Sequence, residues 1–353
     1  MTHPPGLLAL FGSGETSASG RKVYEWVFSR LAQPVEMALL ETPAGFQPNS
    51  AIVAGKVATF IQEHLQNYHA RVSVVPARRR GGPFSTDDPS LLAPMLAAHA
   101  IFLGPGSPTY AVRQLEGSAA WEILRAAHRQ GAALLLASAA TIAGGAFCLP
   151  VYEIYKSGDD LHWRRGLDLL GAYGLHPVFV PHWDNSEGGA ELDTSRCFMG
   201  MERFARLLRM LPEGSVVTGI DEHTALVLDL EAGQFRVLGR GGVTVLRAGS
   251  EEQYRSDRGP FPMELLGEFR LPPAAEFSAD AWAALQAARW APPVEAGPPA
   301  EVTALLNARE EFRTRRDWPQ ADSLRDRLAE LGWKVMDTPS GPVPKPLPDE
   351  GRD

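Results

Sequence analysis

The chain of 353 residues is 44% hydrophobic and carries a formal net charge of -8, which supplies a large core and has the wrong sign for a broad electrostatic grip on nucleic acid or an acidic membrane. Its two cysteines, Cys148 and Cys197, exclude a disulfide framework and a cysteine-rich zinc site, and suggest a reducing compartment. Residues 1–20 have no positive stretch ahead of an apolar core, and no apolar run reaches the roughly 18 residues of a membrane span, so the expectation is a cytoplasmic protein with no membrane partner.

The apolar runs LLALFG (7–12), VEMALLET (35–42), RVSVVPA (71–77), AIFLG (100–104) and AALLLAS (132–138) predict short buried strands, separated by helical stretches such as GRKVYEWVFSRLA (20–32). This alternation predicts an α/β fold, a doubly wound and mostly parallel sheet. Sites in such sheets form beyond the carboxyl ends of the strands, at Gly12–Thr16, Glu41–Gly45, Gly104–Thr109 and Ser138–Thr141. ARRRGG (77–82) reads as a solvated loop. Further on, ALVLDL, QFRVLG and GVTVLRA, joined by EAG and RGG, predict an antiparallel patch on the sheet edge. Proline-rich RLPPAAEF and WAPPVEAGPP then flank a short helix near 278–290. The expected organisation is an α/β domain over 1–255, a proline-rich linker with a short helix over 256–300, a helical unit over 301–346 and a tail over 347–353. In the helical unit Val302, Leu305, Leu306 and Phe312 mark one amphipathic helix. Ala321, Leu324, Leu328 and Leu331 mark a second, from near Asp317 and Pro319 to Gly332, making a helical hairpin.

Ser138 lies where the last apolar run passes into small residues. A serine becomes a nucleophile only when a base takes its proton, a third group orients that base and donors face the oxyanion. Ala137, Ala139 and Ala140 suit the crowded turn between a buried strand and a helix, although a strict G-x-S-x-G is absent and a packed serine is the alternative. PVFVPHWDNSEGG (177–189) delivers His182 from a strand into a polar loop, a place for a general base, with His176 as its rival. In GIDEHTALVLDL (219–230) Glu222 can orient an imidazole, while Asp221 can equally cap the turn. LGPGSPTY (103–110) offers glycine amides for an oxyanion, Pro105 having none.

Taken in order over residues 6–250, these segments resemble the peptidase E and cyanophycinase group of serine peptidases, built on the fold of class I glutamine amidotransferases. LASAAT stands where the family has G-x-S-A-G-A, YEIYKSGDDLHWRRGLDLL (152–170) is similar to its segment of a turn before G-L-x-L-L, GIDEHTALVLD resembles its G-I-D-E-x-T-A, and VLGRGGVTVL its closing hairpin. The resemblance implies Ser138 as nucleophile, His182 as base, Glu222 as third member, and the amides of Ala139 and of Gly106 or Gly104 as oxyanion donors. It implies an acyl-enzyme, a peptide or small amide substrate, no cofactor, no metal, and often a homodimer. Peptidase E draws its acid from nearer the serine, which makes Glu153 the alternative. Leu136 and Ala140 replace family glycines, GPGSP resembles the amidotransferase loop, and 185–200 reads as an insertion. The alternative function is a lapsed relative that binds a metabolite, a partner or RNA.

The segment 305–342, with ADSLRDRL and DTPSG, resembles the C-terminal end of bacterial cysteinyl-tRNA synthetases. H-I-G-H, K-M-S-K-S and a zinc-ligand cluster are missing from the chain, so aminoacylation is not expected. Arg309, Arg313, Arg315, Arg316, Arg325 and Arg327 alternate with Glu310, Glu311, Asp317, Asp322, Asp326 and Glu330. Such alternation predicts intrahelical pairs and a docking role for the hairpin ahead of a tRNA contact.

Overall fold

The computed structural model describes residues 4–272, 281, 283, 284, 287, 300–315, 317–338 and 341–346. It divides into two compact units, Met1–Trp290 and Ala291–Asp353. Most of the expected linker helix and the whole tail 347–353 lie outside the described residues.

In the first unit β1 (Leu8–Phe11), β2 (Glu36–Leu40), β3 (Arg71–Val75), β4 (Ala100–Leu103) and β5 (Ala133–Ala137) run parallel to one another. A small pair, β6 (Phe147–Cys148) and β7 (Arg164–Arg165), precedes β8 (Val178–Val180), β9 (Val217–Ile220), β10 (Thr224–Asp229), β11 (Gln234–Gly239), β12 (Gly242–Arg247), β13 (Ser250–Arg255) and β14 (Phe261–Pro262). The large sheet has eight strands in the order β14-β11-β10-β1-β5-β4-β2-β3, and a second sheet has four, β13-β12-β9-β8.

The central strands are apolar throughout because both faces of the large sheet are covered. Leu8, Leu10, Leu134 and Leu136 point into one core, while Ala9, Phe11, Leu135 and Ala137, one residue out of step, point into the other. The helices on these faces and at the strand ends are α1 (Ala18–Phe28), α2 (Ser50–His64), α3 (Pro89–Leu96), α4 (Pro108–Leu115), α5 (Ala119–Arg129), α6 (Ala139–Ala143), α7 (Val151–Tyr155) and α8 (Gly200–Leu208). Serines 17, 107 and 118 and Asp88 start four of them by accepting a backbone N–H with their side chains.

Register decides what meets at the strand ends. Phe11 lies opposite Ala137 on one side and Ala225 on the other. The residues that follow β1 and β5 and those that precede β10 therefore converge beyond the carboxyl ends of the central parallel strands.

Three expectations need correction. GVTVLRA does not extend the large sheet: β11 remains in it, but β12 pairs with β9 in the second sheet. Period-two patterning marks a strand without choosing its neighbours. Residues 256–272 do not act as a linker, because β14 pairs with β11 and Met263 and Leu266 are fully buried. The unit expected as a helical hairpin contains α9 (Ala300–Thr314) and α10 (Trp318–Glu330), and goes on into a β-hairpin of β15 (Trp333–Thr338) and β16 (Gly341–Pro346). Val302, Leu306 and Leu328 form its core, with Trp333 and Val335 of β15 packed against them, which is what draws the strand onto the helices. Among the described residues no helix is long and apolar enough to cross a membrane.

Candidate active site

Ser138 follows β5 directly and has φ 52° and ψ -108°, a conformation that L residues rarely adopt. The turn is held from both sides. Ser138 N–H donates to Phe11 O at 3.3 Å, and the buried Thr141 hydroxyl lies 2.8 Å from Leu136 O and 3.0 Å from Phe11 O. The backbone thereby reverses sharply into α6 and leaves the serine hydroxyl at the rim of a cavity of about 430 Å³.

His182 reaches that hydroxyl from the second sheet. It follows β8 and Pro181 with φ 51°. Its own N–H donates to Gly12 O at 3.3 Å, and its carbonyl accepts from Cys197 N at 3.1 Å. Its Nε2 lies 2.9 Å from Ser138 Oγ and its Nδ1 2.9 Å from Glu222 Oε1. A carboxylate only accepts, so Nδ1 carries the proton and Nε2 is left to accept from the serine.

Glu222 sits between β9 and β10, where the chain passes from one sheet to the other. Its N–H donates to Asp184 Oδ1 at 2.7 Å, and its Oε1 accepts from Asn185 Nδ2 at 3.0 Å as well as from His182. The hydrogen bond from His182, and with it that from Asn185, holds the Glu222 carboxyl below its ordinary range against the opposing effect of desolvation. Asp221 takes the other role foreseen for the pair: it caps the turn, accepting from Gly242 N at 2.7 Å, and desolvation raises its pKa.

Of the glycines offered for the oxyanion, Gly106 shares the cavity wall with Ser138 and Ala139. Gly104 does not; it borders a separate small cavity with Glu41 and Pro43, so it is set aside as a donor. Gly106 has φ +152°, and a side chain there meets Pro43 O at 2.0 Å. Ala139 opens α6, so its N–H belongs to the first turn, which has no intrahelical acceptor. Glu153 accepts from the Thr109 hydroxyl and not from His182. His176 lies on the exposed surface with Nδ1 2.9 Å from Asp168. Cys148 is buried, which pushes its thiol pKa up and leaves it unreactive.

Asn185, 3% exposed, has no counterpart in the motif reading. The loop it begins, an insertion by the motif comparison, supplies Glu187, Cys197 and Phe198 to the cavity. Arg196, Cys197 and Phe198 are all left-handed, with φ of 57°, 59° and 68°. That turn puts the Phe198 ring 5.9 Å from His182 and the Cys197 thiol, raised to about 12 by burial, into the wall. Asn185 in a run of polar loop residues was the only available signal. Opposite lie Tyr152, Tyr155 and Lys156 of α7 and its end. Among the described residues no group of three or more His, Cys, Asp and Glu is placed to hold a metal ion.

A crystal structure of a peptidase from an acI-B1 actinobacterium superposes on this chain with a TM-score of 0.58, covering 73% of this chain and 97% of that one at 20% identity. The two share a fold. The peptidase-like fold is the one that the motif resemblance implied. Residues 295–341 match the family profile of the cysteinyl-tRNA ligase anticodon binding domain. The same part is 49% identical over 45 residues to the cysteine–tRNA ligase of Rubrobacter xylanophilus, and 58% identical over 38 residues to that of Moorella thermoacetica. These stretches are 13% and 11% of this chain and span only 10% and 8% of the two ligases.

Proposed function

We propose that the first unit is a serine hydrolase that cleaves a peptide or amide bond. The observation that carries this is the continuous hydrogen-bonded line from Ser138 through His182 to Glu222, opening on a cavity from a strained turn. Ser138 Oγ attacks the carbonyl carbon while His182 Nε2 takes its proton. Glu222 stabilises the imidazolium that results, and the amides of Ala139 and Gly106 face the oxyanion. Collapse of the tetrahedral intermediate breaks the C–N bond as His182 returns the proton to the leaving nitrogen. Water then hydrolyses the ester by the same route. The two free cysteines suit a cytoplasmic setting. The test is intact mass after incubation with a fluorophosphonate, beside Ser138→Ala. One adduct, absent in the variant, is the expected result; a folded protein with no adduct defeats the reading and leaves a binding protein on this fold.

For the second unit the match to an anticodon binding domain favours contact with tRNA. Several of its arginines are already engaged: Arg309 and Arg313 with Glu310, and Arg325 with Asp322 and Asp326. The contact is therefore weak or local, and aminoacylation is no part of the proposal. Mobility shifts with bulk tRNA at low and moderate salt test it: a shift that salt abolishes is expected, and none at low salt returns the unit to protein docking.

A further inference from the structure

We infer that a second cavity beside Ser138 receives the leaving part of the substrate, a C-terminal tyrosine or tryptophan with its free carboxylate; this rests on the amide-cleaving reading above. The segment after β4 serves two cavities in alternation. Gly106 and Pro108 line the one that holds Ser138, while Ser107 and Thr109 line a neighbour of about 360 Å³. Tyr152 lines both, so a chain lying across its ring reaches from one to the other.

Three features of the second cavity name its occupant. Its walls include Phe46, Tyr110 and Tyr152; the rings of Phe46 and Tyr110 are 5.2 Å apart, and Phe46 is 50% exposed. Open aromatic faces favour a flat ring. At the rim the Arg113 guanidinium lies 5.3 Å from the Tyr110 ring centroid, and no carboxylate pairs with it among the described residues. A planar fork left in this way fits a carboxylate. On the wall Glu153 accepts from Thr109 through Oε1, while its Oε2 is buried without a hydrogen-bond partner among the described residues. A buried acceptor without a donor costs free energy, which a ligand's O–H or N–H in this cavity recovers once the carboxylate turns towards it. A ring, a carboxylate and a ring donor together describe tyrosine or tryptophan at a C-terminus. A free α-carboxylate belongs to the amine side of the last peptide bonds, so this residue leaves with the nitrogen that His182 protonates, and the acyl part stays on Ser138.

The test uses the full chain and acetylated tripeptides, the first two positions randomised and the third Tyr, Trp, Phe, Leu or Lys, each as acid and as C-terminal amide. Released products are read by mass spectrometry, with fluorophosphonate labelling in parallel. Peptides ending in Tyr or Trp as acids are expected to be consumed at least about tenfold faster than those ending in Leu and than their own amides. Arg113→Ala lowers the acid-to-amide ratio towards one, and Glu153→Gln lowers the Tyr-to-Phe ratio. These ratios are internal to each variant, so partial unfolding does not imitate them. Labelled Ser138 with no cleavage, with no C-terminal preference, or with ratios unmoved by both variants overturns the inference and leaves the hydrolase reading standing. Competition by adenosine monophosphate in place of N-acetyltyrosine reassigns the cavity to nucleotides and overturns it equally. Absence of labelling overturns both readings.

Discussion

Asn185 donates to the same oxygen of Glu222 that His182 uses, from a site almost closed to solvent. It does not line the cavity, and in the proposed mechanism it is a positioning residue for Glu222. Removing a donor to an ionised carboxylate favours the protonated form, so Asn185→Ala should raise the Glu222 pKa and move the acid limb of kcat/KM to higher pH, with kcat down about tenfold. A pH profile that keeps its acid limb in place leaves Asn185 with packing alone. In the proposed mechanism Glu222→Gln removes the charge that stabilises the imidazolium and should cost about 10³–10⁴ in kcat. The sign of the stability effect follows from the depressed carboxyl pKa. The contribution of Glu222 is present above its unfolded pKa and is lost as pH falls through the folded one. That Ser138, His182 and Glu222 come together was legible because each stands at a strand end in an ordered set of motifs. Asn185 was not, because nothing local tells an asparagine that caps a loop from one that reaches a carboxylate across 37 residues of chain.

Two junctions between elements carry measurable weight. At the end of α5, His128 is fully buried, with Nε2 2.8 Å from Gly6 O just ahead of β1, and burial depresses its pKa to about 4. The folded state therefore refuses a proton that the unfolded chain accepts. Its contribution is complete above the unfolded pKa of about 6.5 and is lost as pH falls from there to about 4, in all roughly 3 kcal/mol. Urea melts between these limits should show the stability gap between the wild type and His128→Gln shrinking as pH falls; a constant gap refutes it. At the junction of β4 and α4, Gly106 holds a backbone that only glycine takes easily, pressed on Pro43 O. Gly106→Ala should cost about 1–3 kcal/mol or more in strain and reduce fluorophosphonate labelling beyond what the fraction unfolded explains. Glycine at a strand end was visible in GPGSP. That Gly106 and not Gly104 faces the cavity depends on a φ of +152°, which composition does not reveal. The departure of β12 to another sheet was equally hidden, since alternating side chains are the same in either.

At the scale of the whole molecule, the line from Ser138 to Glu222 and both cavities fall within Met1–Trp290. A chain ending at Trp290 should react with the fluorophosphonate at the rate of the full protein; a loss of several-fold shows that the second unit conditions the site. Ser138 follows a strand of the eight-stranded sheet and His182 a strand of the four-stranded one, with Glu222 on the segment that joins the two sheets. Proton transfer along such a line is sensitive to position, a displacement of about 1 Å costing about a hundredfold in rate. On the proposed mechanism, the reactivity of Ser138 works as a vernier on the docking of two layers that share one core. In rising denaturant it should fade while the far-ultraviolet signal of both is still intact.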